Sequence, residues 1–163
     1  VKTNGVKAVP AGYHTATPAL IIRGAAEAIE FYKRAFGAVE LSRHSDPAGK
    51  AIMHAAIRIG DSPIMLCDEF PNCGGKSPTT AGGATGGVYL YVGDVDTVFH
   101  QAVAAGAKGD MPPVNMFWGD RFAKVTDPFG HSWSLATHLE DLTPDEIARR
   151  GQEFFARMGK GHG

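Results

Sequence analysis

The chain has 163 residues, 44% of them hydrophobic and 20% charged, which suits one domain or two small fused modules and leaves no room for a second large domain. Its 16 basic and 17 acidic residues nearly cancel, which disfavours nucleic acid as a partner, because phosphate binding needs a concentrated positive surface. No run approaches the roughly 18 apolar residues of a membrane span, Val1 to Tyr13 has no apolar secretory centre, and Cys67 and Cys73 are too few for a disulfide framework. The chain is therefore expected in the cytoplasm with both thiols reduced.

In chain order, Thr15 to Arg23 reads as a strand punctuated by Gly24. Ala25, Ile29, Tyr32 and Phe36 follow at helical spacing, with Glu27, Glu30, Lys33 and Arg34 mostly away from that stripe, and Gly37 closes the helix. Strand-rich sequence then runs over Ala38 to His44, Ala51 to Ile59 and Pro63 to Cys67, separated by D-P-A-G-K and G-D-S turns. A glycine-rich connection spans Phe70 to Gly87. Leu90 to Val92 reads as strand, Asp94 as a cap, and Val95, Val98, Phe99, Ala102 and Ala105 as a second helical stripe ending at Gly106. Lys108 to Met111, Asp120 to Thr126 and Ser132 to Ala136 read as the strands that follow.

The two segments superpose at one offset: Gly24 on Gly93, Ile29 on Val98, Gly37 on Gly106 and Ala38 on Ala107 are each 69 apart. Each half is β-α-β-β-β, so the fold class is α+β, two βαβββ modules forming a curved mixed sheet. Module one covers about 14–68, the connection about 69–86 and module two about 87–138 of one domain spanning 1–163. Thr143, Pro144 and Glu146 form a capping box opening a C-terminal helix over about 143–158. Its apolar Ile147, Phe154, Phe155 and Met158 predict docking on the body or on a second subunit. A four-stranded module has one face covered by its helix, and a second module closes the other into a cavity.

R-G-A-A-E-A-I-E-F-Y-K-R-A-F-G-A (Arg23 to Ala38), D-P-F-G-H-S-W (Asp127 to Trp133), Met53 to Ser62 and M-F-W-G-D-R (Met116 to Arg121) stand in order on this repeat. In them the chain resembles the glyoxalase, bleomycin-resistance and extradiol dioxygenase (vicinal oxygen chelate) superfamily, in its PhnB-like branch, over roughly residues 14 to 147. Metal-using members of that superfamily carry ligands on the first and last strand of each module. The resemblance maps those positions to about Thr17, Leu66, Gly87 and Ser134, none of them a ligand, and a shift of one residue adds only Cys67. No metal or other cofactor is therefore expected. An unusual site would have to draw on His14, His54, Glu69, His131 and His138, of which His14 and His138 read as solvated positions flanking the strands.

For the pocket, alternation puts Ile52, His54 and Ala56 on one side of their strand. His54 then reads either as a satisfied structural histidine or as a ligand-binding or acid–base group. Phe117 and Trp118 beside Asp120 and Arg121 form either a turn with a rim salt bridge or a stacking and orienting group, and only one of the two charges can reach the cavity. Ser132, Ser134 and Ala136 share the side of the last strand that the resemblance assigns to the ligand in metal-using members, which implies that Trp133 and Leu135 face the helices and that Trp133 belongs to the core. The expected ligand-binding residues are His54, Phe117, Trp118, Arg121, Ser132 and Ser134, with no catalytic assignment beyond His54 as a candidate. There is no G-x-S-x-G elbow, and Gly82 to Gly87 lacks the Lys and Ser or Thr of a phosphate loop, reading instead as a flexible connection or lid. The resemblance, with no ligand at its metal positions, implies a metal-independent small-molecule binding protein comparable to the bleomycin-resistance proteins, and the fold's habits with the apolar C-terminal helix imply a homodimer. The rivals are a glyoxalase-type lyase, isomerase or dioxygenase using an atypical metal site or His54 as base, and a scaffold with a closed cavity.

Overall fold

A computed structural model describes residues 4–71 and 74–159, so that Cys73 lies outside the described residues. The first module runs β1 (Ala19–Ile22), α1 (Ala25–Phe36), β2 (Val39–Ser45), β3 (Ile52–Ile59) and β4 (Ser62–Asp68). A short α2 (Pro78–Ala81) interrupts the connection, and the second module runs β5 (Gly87–Tyr91), α3 (Val95–Ala105), β6 (Lys108–Asn115), β7 (Asp120–Thr126) and β8 (Ser132–His138), followed by α4 (Pro144–Gly159). The strands form two four-stranded sheets of matching order, β1-β4-β3-β2 and β5-β8-β7-β6. In each the first strand runs parallel to the last and the other pairs are antiparallel, so both sheets are mixed.

The repeat extends to how the helices start and stop. Gly37 and Gly106 both adopt the left-handed conformation after α1 and α3, where a side chain would be strained. At the helix entrances Asp68 Oδ1 accepts from the Gly24 and Ala25 amides at 3.0 and 2.9 Å, while Thr137 Oγ1 accepts from the Val95 amide at 2.9 Å. Asp68 and Thr137 are again 69 apart: a side chain at the end of each module's last strand supplies acceptors that the first helical amides lack.

Both helices cover the same side of the molecule and touch each other. Tyr32 and Phe36 of α1 pack on Trp133 of β8 with ring centroids 5.1 and 4.7 Å apart, and Trp133 is fully buried in the core, as expected. The modules are also joined through Asp127. Its buried carboxylate accepts from Tyr32 Oη (2.7 Å), Trp133 Nε1 (2.9 Å) and the amides of Phe129 and His131 (both 2.9 Å). Burial, then the negative Asp127, pushes the Tyr32 phenol well above its ordinary pKa, so it stays a neutral donor.

Four local departures from the sequence reading have physical causes. β6 continues through Pro112 and Pro113 instead of stopping at Met111, because it is an edge strand whose register shifts between Met111 and Val114, leaving the prolines outside the ladder. A register shift between His44 and Ser45 turns Ile52 into the core and leaves Met53 exposed, so Ile52 does not share a side with His54. Within the connection, Ser77 caps α2 and is buried. Its hydroxyl and amide both bond Glu69 Oε2, at 2.5 and 3.1 Å. Finally, β8 extends to His138. Thr143 Oγ1 accepts from the Glu146 amide at 3.3 Å, consistent with the expected cap of α4. No described helix is long and apolar enough to cross a membrane.

Candidate functional site on the open face of the second sheet

Strand alternation sorts the second sheet into two chemistries. Leu90, Ala123, Val125, Trp133 and Leu135 turn toward the helices and are buried. Tyr89 and Tyr91 of β5, Asp120, Phe122, Lys124 and Thr126 of β7, and Ser132, Ser134 and His138 of β8 occupy the opposite parity, on the face turned away from α1 and α3. Two hollows open there. One, of about 410 Å³, lies between the edge strands β1 and β5 and is lined by Ala19, Ile21, Gly87, His131 and Ser132. The other, of about 690 Å³, lies on the second sheet and is lined by Tyr89, Asp110, Lys124, Thr126, Ser132 and Ser134. Gly83 to Gly87 border both.

Beside the second hollow, Asp120 is 3% exposed yet carries a carboxylate. Its Oδ2 accepts from Trp118 Nε1 at 3.1 Å, Tyr91 Oη at 3.2 Å and Tyr89 Oη at 3.3 Å, and its Oδ1 from His138 Nδ1 at 2.7 Å. The other His138 nitrogen, Nε2, lies 3.0 Å from Asp141 Oδ1. Both ring nitrogens face carboxylates, so both donate and the imidazolium form is favoured; the bonds to Asp141 and then Asp120 raise the His138 pKa. Burial and then the Asp120 charge raise that of Tyr89, which keeps the phenol protonated. Around the carboxylate the rings touch one another: Tyr89–Tyr91 at 5.1 Å, Tyr89–Phe122 at 5.9 Å and Trp118–Phe122 at 5.7 Å between centroids. Tyr89 and Tyr91 remain 45% and 67% exposed. An aromatic surface is thus held in place by a carboxylate beneath it.

Of the six residues assigned to the pocket, Ser132 and Ser134 line the hollows and Trp118 belongs to the aromatic cluster. The other three expected pocket residues stand elsewhere. Arg121 shares the helix-facing parity of Ala123 and Val125 and is paired with Asp96 of α3 (Nη2 to Oδ1, 2.7 Å), so Asp120 is the charge that reaches the open face. Phe117 packs against α4, 5.4 Å from Phe154, with its ring close to Gly151. His54 lies on the open face of the first sheet, exposed and directly across from His44, with ring centroids 6.4 Å apart.

Among the residues weighed for an unusual metal site, Glu69 is occupied by Ser77 and Thr80, whose hydroxyls lower its pKa, and His14 is exposed. His131 Nε2 lies 3.1 Å from the Ile21 carbonyl and donates to it across the module seam. His138 is exposed, as a solvated position would be, but it belongs to β8 and stands opposite Asp120 instead of lying past the last strand. Tyr89, Tyr91, Phe122 and the Asp120–His138 pair are missed by the sequence reading; the period-two pattern D-x-F-x-K-x-T of β7 puts Asp120 and Phe122 on one face, but nothing local joins them to β5 or to His138 of β8.

On the four strands flanking the seam, the open-face pairs are Ala19 with Met65, Ile21 with Cys67, Gly87 with Ser132 and Tyr89 with Ser134. Leu66, the position expected from the resemblance, faces the helices instead. A divalent ion needs three or more good donors converging on one point, and this set does not fit one. Among the described residues no group of three His, Cys, Asp or Glu side chains could hold a metal ion.

Comparison with known proteins agrees with this architecture. Rv0887c of Mycobacterium tuberculosis is 47% identical over 134 residues, covering 80% of this chain and 78% of its own. TioX from Micromonospora sp. ML1 superposes with a TM-score of 0.60 at 28% identity, over 80% of this chain and all of its own. The PhnB protein of Bacillus cereus, a putative 3-demethylubiquinone-9 3-methyltransferase, shares the fold with a TM-score of 0.56 at 22% identity, over 76% of this chain and 99% of its own. The profile of the Glyoxalase/Bleomycin resistance protein/Dioxygenase superfamily matches residues 14–135, and the chain belongs to that superfamily.

Proposed function

We propose that this chain is a small-molecule binding protein that seats a ligand with a flat apolar part on the open face of its second sheet, without a divalent cation. The observation that carries this reading is the exposed pair Tyr89 and Tyr91, continuous with Phe122 and Trp118 and bordering a hollow of about 690 Å³. Exposed aromatic side chains contribute large contact area with few rotatable bonds, and polar groups at the edge, here Ser132, Ser134 and Lys124, orient what they bind. The donor-poor seam supports the metal-free part. We further take the protein as a homodimer, because Phe155 and Met158 of α4 are 63% and 57% exposed in the single chain; sedimentation as a monomer at micromolar concentration would contradict that part.

The test is a titration of the purified protein with soluble aromatic compounds, followed by tryptophan fluorescence, together with elemental analysis of protein prepared without chelators or a metal-affinity tag. Trp118 borders the site and Trp133 is buried, so saturable quenching that Tyr91→Ala weakens is the expected result. Stoichiometric zinc, nickel, manganese or iron would overturn the metal-free reading.

A second reading, a glyoxalase-type lyase or isomerase, is favoured by one observation: a buried carboxylate orienting an imidazole at 2.7 Å is the pairing that general acid–base chemistry uses. On that reading the proton carrier is His138, not His54.

A further inference from the structure

From the carboxylate buried under the exposed tyrosine rings, we propose that the ligand is an organic cation, an alkylated or aromatic ammonium, held over the faces of Tyr89 and Tyr91. This rests on the binding site proposed above and names the chemistry of its ligand.

Asp120 is the centre of the cluster, and none of its four partners is Lys or Arg: three are the neutral donors Tyr89, Tyr91 and Trp118, and the fourth is His138. Arg121, the adjacent cation in sequence, is on the other side of the sheet with Asp96. Lys124 is on the open face two positions past Phe122, toward Asp110. The negative charge at the aromatic cluster therefore has one titratable counterion and no permanent one among its hydrogen-bonded partners.

The rings add to the field. An aromatic face is negative, and a cation within about 6 Å of the centroid is attracted to it. A phenol that donates its hydrogen bond to a carboxylate has a more electron-rich ring than a free phenol, and both tyrosines do so to the same Oδ2. Their raised exposure leaves ring surface open to a ligand, while the carboxylate stays dry below. An ammonium ion resting on the rings meets two π faces and the field of Asp120 without displacing any existing hydrogen bond. A carboxylate or phosphate ligand would meet the same field as repulsion.

His138 makes this attraction depend on pH. The groups facing it are Asp120 from β7 and Asp141 from the segment before α4, with the Tyr89 and Tyr91 hydroxyls sharing the Asp120 carboxylate. Glu140, in the same segment, is engaged by Arg150 of α4. With His138 protonated the Asp120–His138 pair is close to neutral and Asp141 stays on the outer side of the ring; once the imidazole loses its proton, the Asp120 charge is uncompensated. Cation affinity should therefore rise with pH, beginning above the ordinary histidine value of about 6.5.

The experiment is calorimetric titration of the full chain with phenyltrimethylammonium, its uncharged isostere tert-butylbenzene, and benzoate, at pH 6 and pH 9. The expected result is at least tenfold tighter binding of the ammonium than of the isostere at pH 9, a preference that shrinks several-fold at pH 6, and no binding of benzoate. His138→Gln should hold the affinity constant between the two pH values. Asp120→Asn should bring ammonium and isostere to within about twofold; because that residue is buried, the pH profile of the unmodified chain and of His138→Gln provides an independent check if the variant does not fold. Equal binding of ammonium and isostere would overturn the charge assignment and leave the aromatic site standing. Preference for benzoate would overturn it likewise. Absence of binding by all three would overturn both the charge assignment and the site.

Discussion

The two modules share a scaffold and differ on the face that scaffold leaves open. On the helix side they match closely: Leu66 and Leu135 occupy the same place in their last strands, Ala55 and Ala123 in the preceding ones, and Asp68 and Thr137 serve the same helix entrances. On the open side the first sheet shows small and aliphatic residues, Ala19, Ile21 and Ala56, with the pair His44 and His54. The second shows Tyr89, Tyr91, Phe122 and the Asp120–His138 pair. Packing demands complementary volumes on the helix side, which restricts both halves alike. Packing against α1 and α3 does not restrict the open side, so the two faces are free to differ, and the aromatic cluster stands on the second.

Several changes would break or sharpen this contrast. The largest expected effect is at the joint between the halves. Asp127→Ala leaves the buried Tyr32 hydroxyl and Trp133 indole without their acceptor, and since each unpaired buried donor costs about 1–3 kcal/mol the loss should be about 4 kcal/mol in urea unfolding. A loss below 1 kcal/mol would show that the modules do not depend on this joint. Next is Gly119, at φ 96° with the Glu140 carbonyl oxygen 2.5 Å from where a Cβ would stand. Gly119→Ala should cost about 2 kcal/mol through backbone strain and should also weaken ligand binding, because it displaces Trp118 and Asp120 on either side.

The contrast between faces is tested by a matched pair. Tyr91→Ala should weaken binding of an aromatic ligand about fivefold to tenfold, the size of one lost ring contact of about 1 kcal/mol, whereas His54→Ala on the first sheet should leave it within about twofold. The reverse ranking would move the site to the first sheet. The smallest effect is an acid-limb change in the first module. The hydrogen bond from Arg43, then that from Lys33, depresses the Glu40 carboxyl from 4.5 to about 2. As pH falls the unfolded chain takes up this proton first, so the stabilisation is complete above about 4.5 and is lost as pH approaches 2. Glu40→Gln should flatten stability over that interval and leave it unchanged in slope near neutrality, checked by urea unfolding at several pH values.

The repeat was legible because helices announce their ends: Gly24, Gly37, Gly93 and Gly106 and the apolar stripes between them bracket α1 and α3 without reference to the rest of the chain. Trp133 is legible from strand parity together with the family resemblance, which fixes the side of the last strand that faces the cavity. What could not be read was anything set by strand ends and register. Stopping the last strand at Ala136 hides His138 from Asp120, although two further residues put them opposite each other. His54 reads as a pocket residue from its apolar neighbours, but Ala55 and Ile57 belong to the core under α1, Met53 is exposed, and the imidazole shares an open face with His44. Arg121 drew attention through its neighbours Phe117 and Trp118, yet alternation sends it to Asp96, a partner that only the docking of α3 on the sheet supplies. Hydrogen bonds between residues 29 or 31 positions apart, such as Tyr91 and Tyr89 to Asp120, have no local signal.

The most direct test follows the two indole N–H resonances in a proton–nitrogen correlation spectrum during titration with phenyltrimethylammonium. Trp118 borders the open face of the second sheet and Trp133 is in the core beneath it. Movement of the Trp118 signal together with the amides of Tyr89 and Tyr91, while Trp133 stays in place, is the result predicted. A still Trp118 signal, with shifts instead around His44 and His54, would contradict the account.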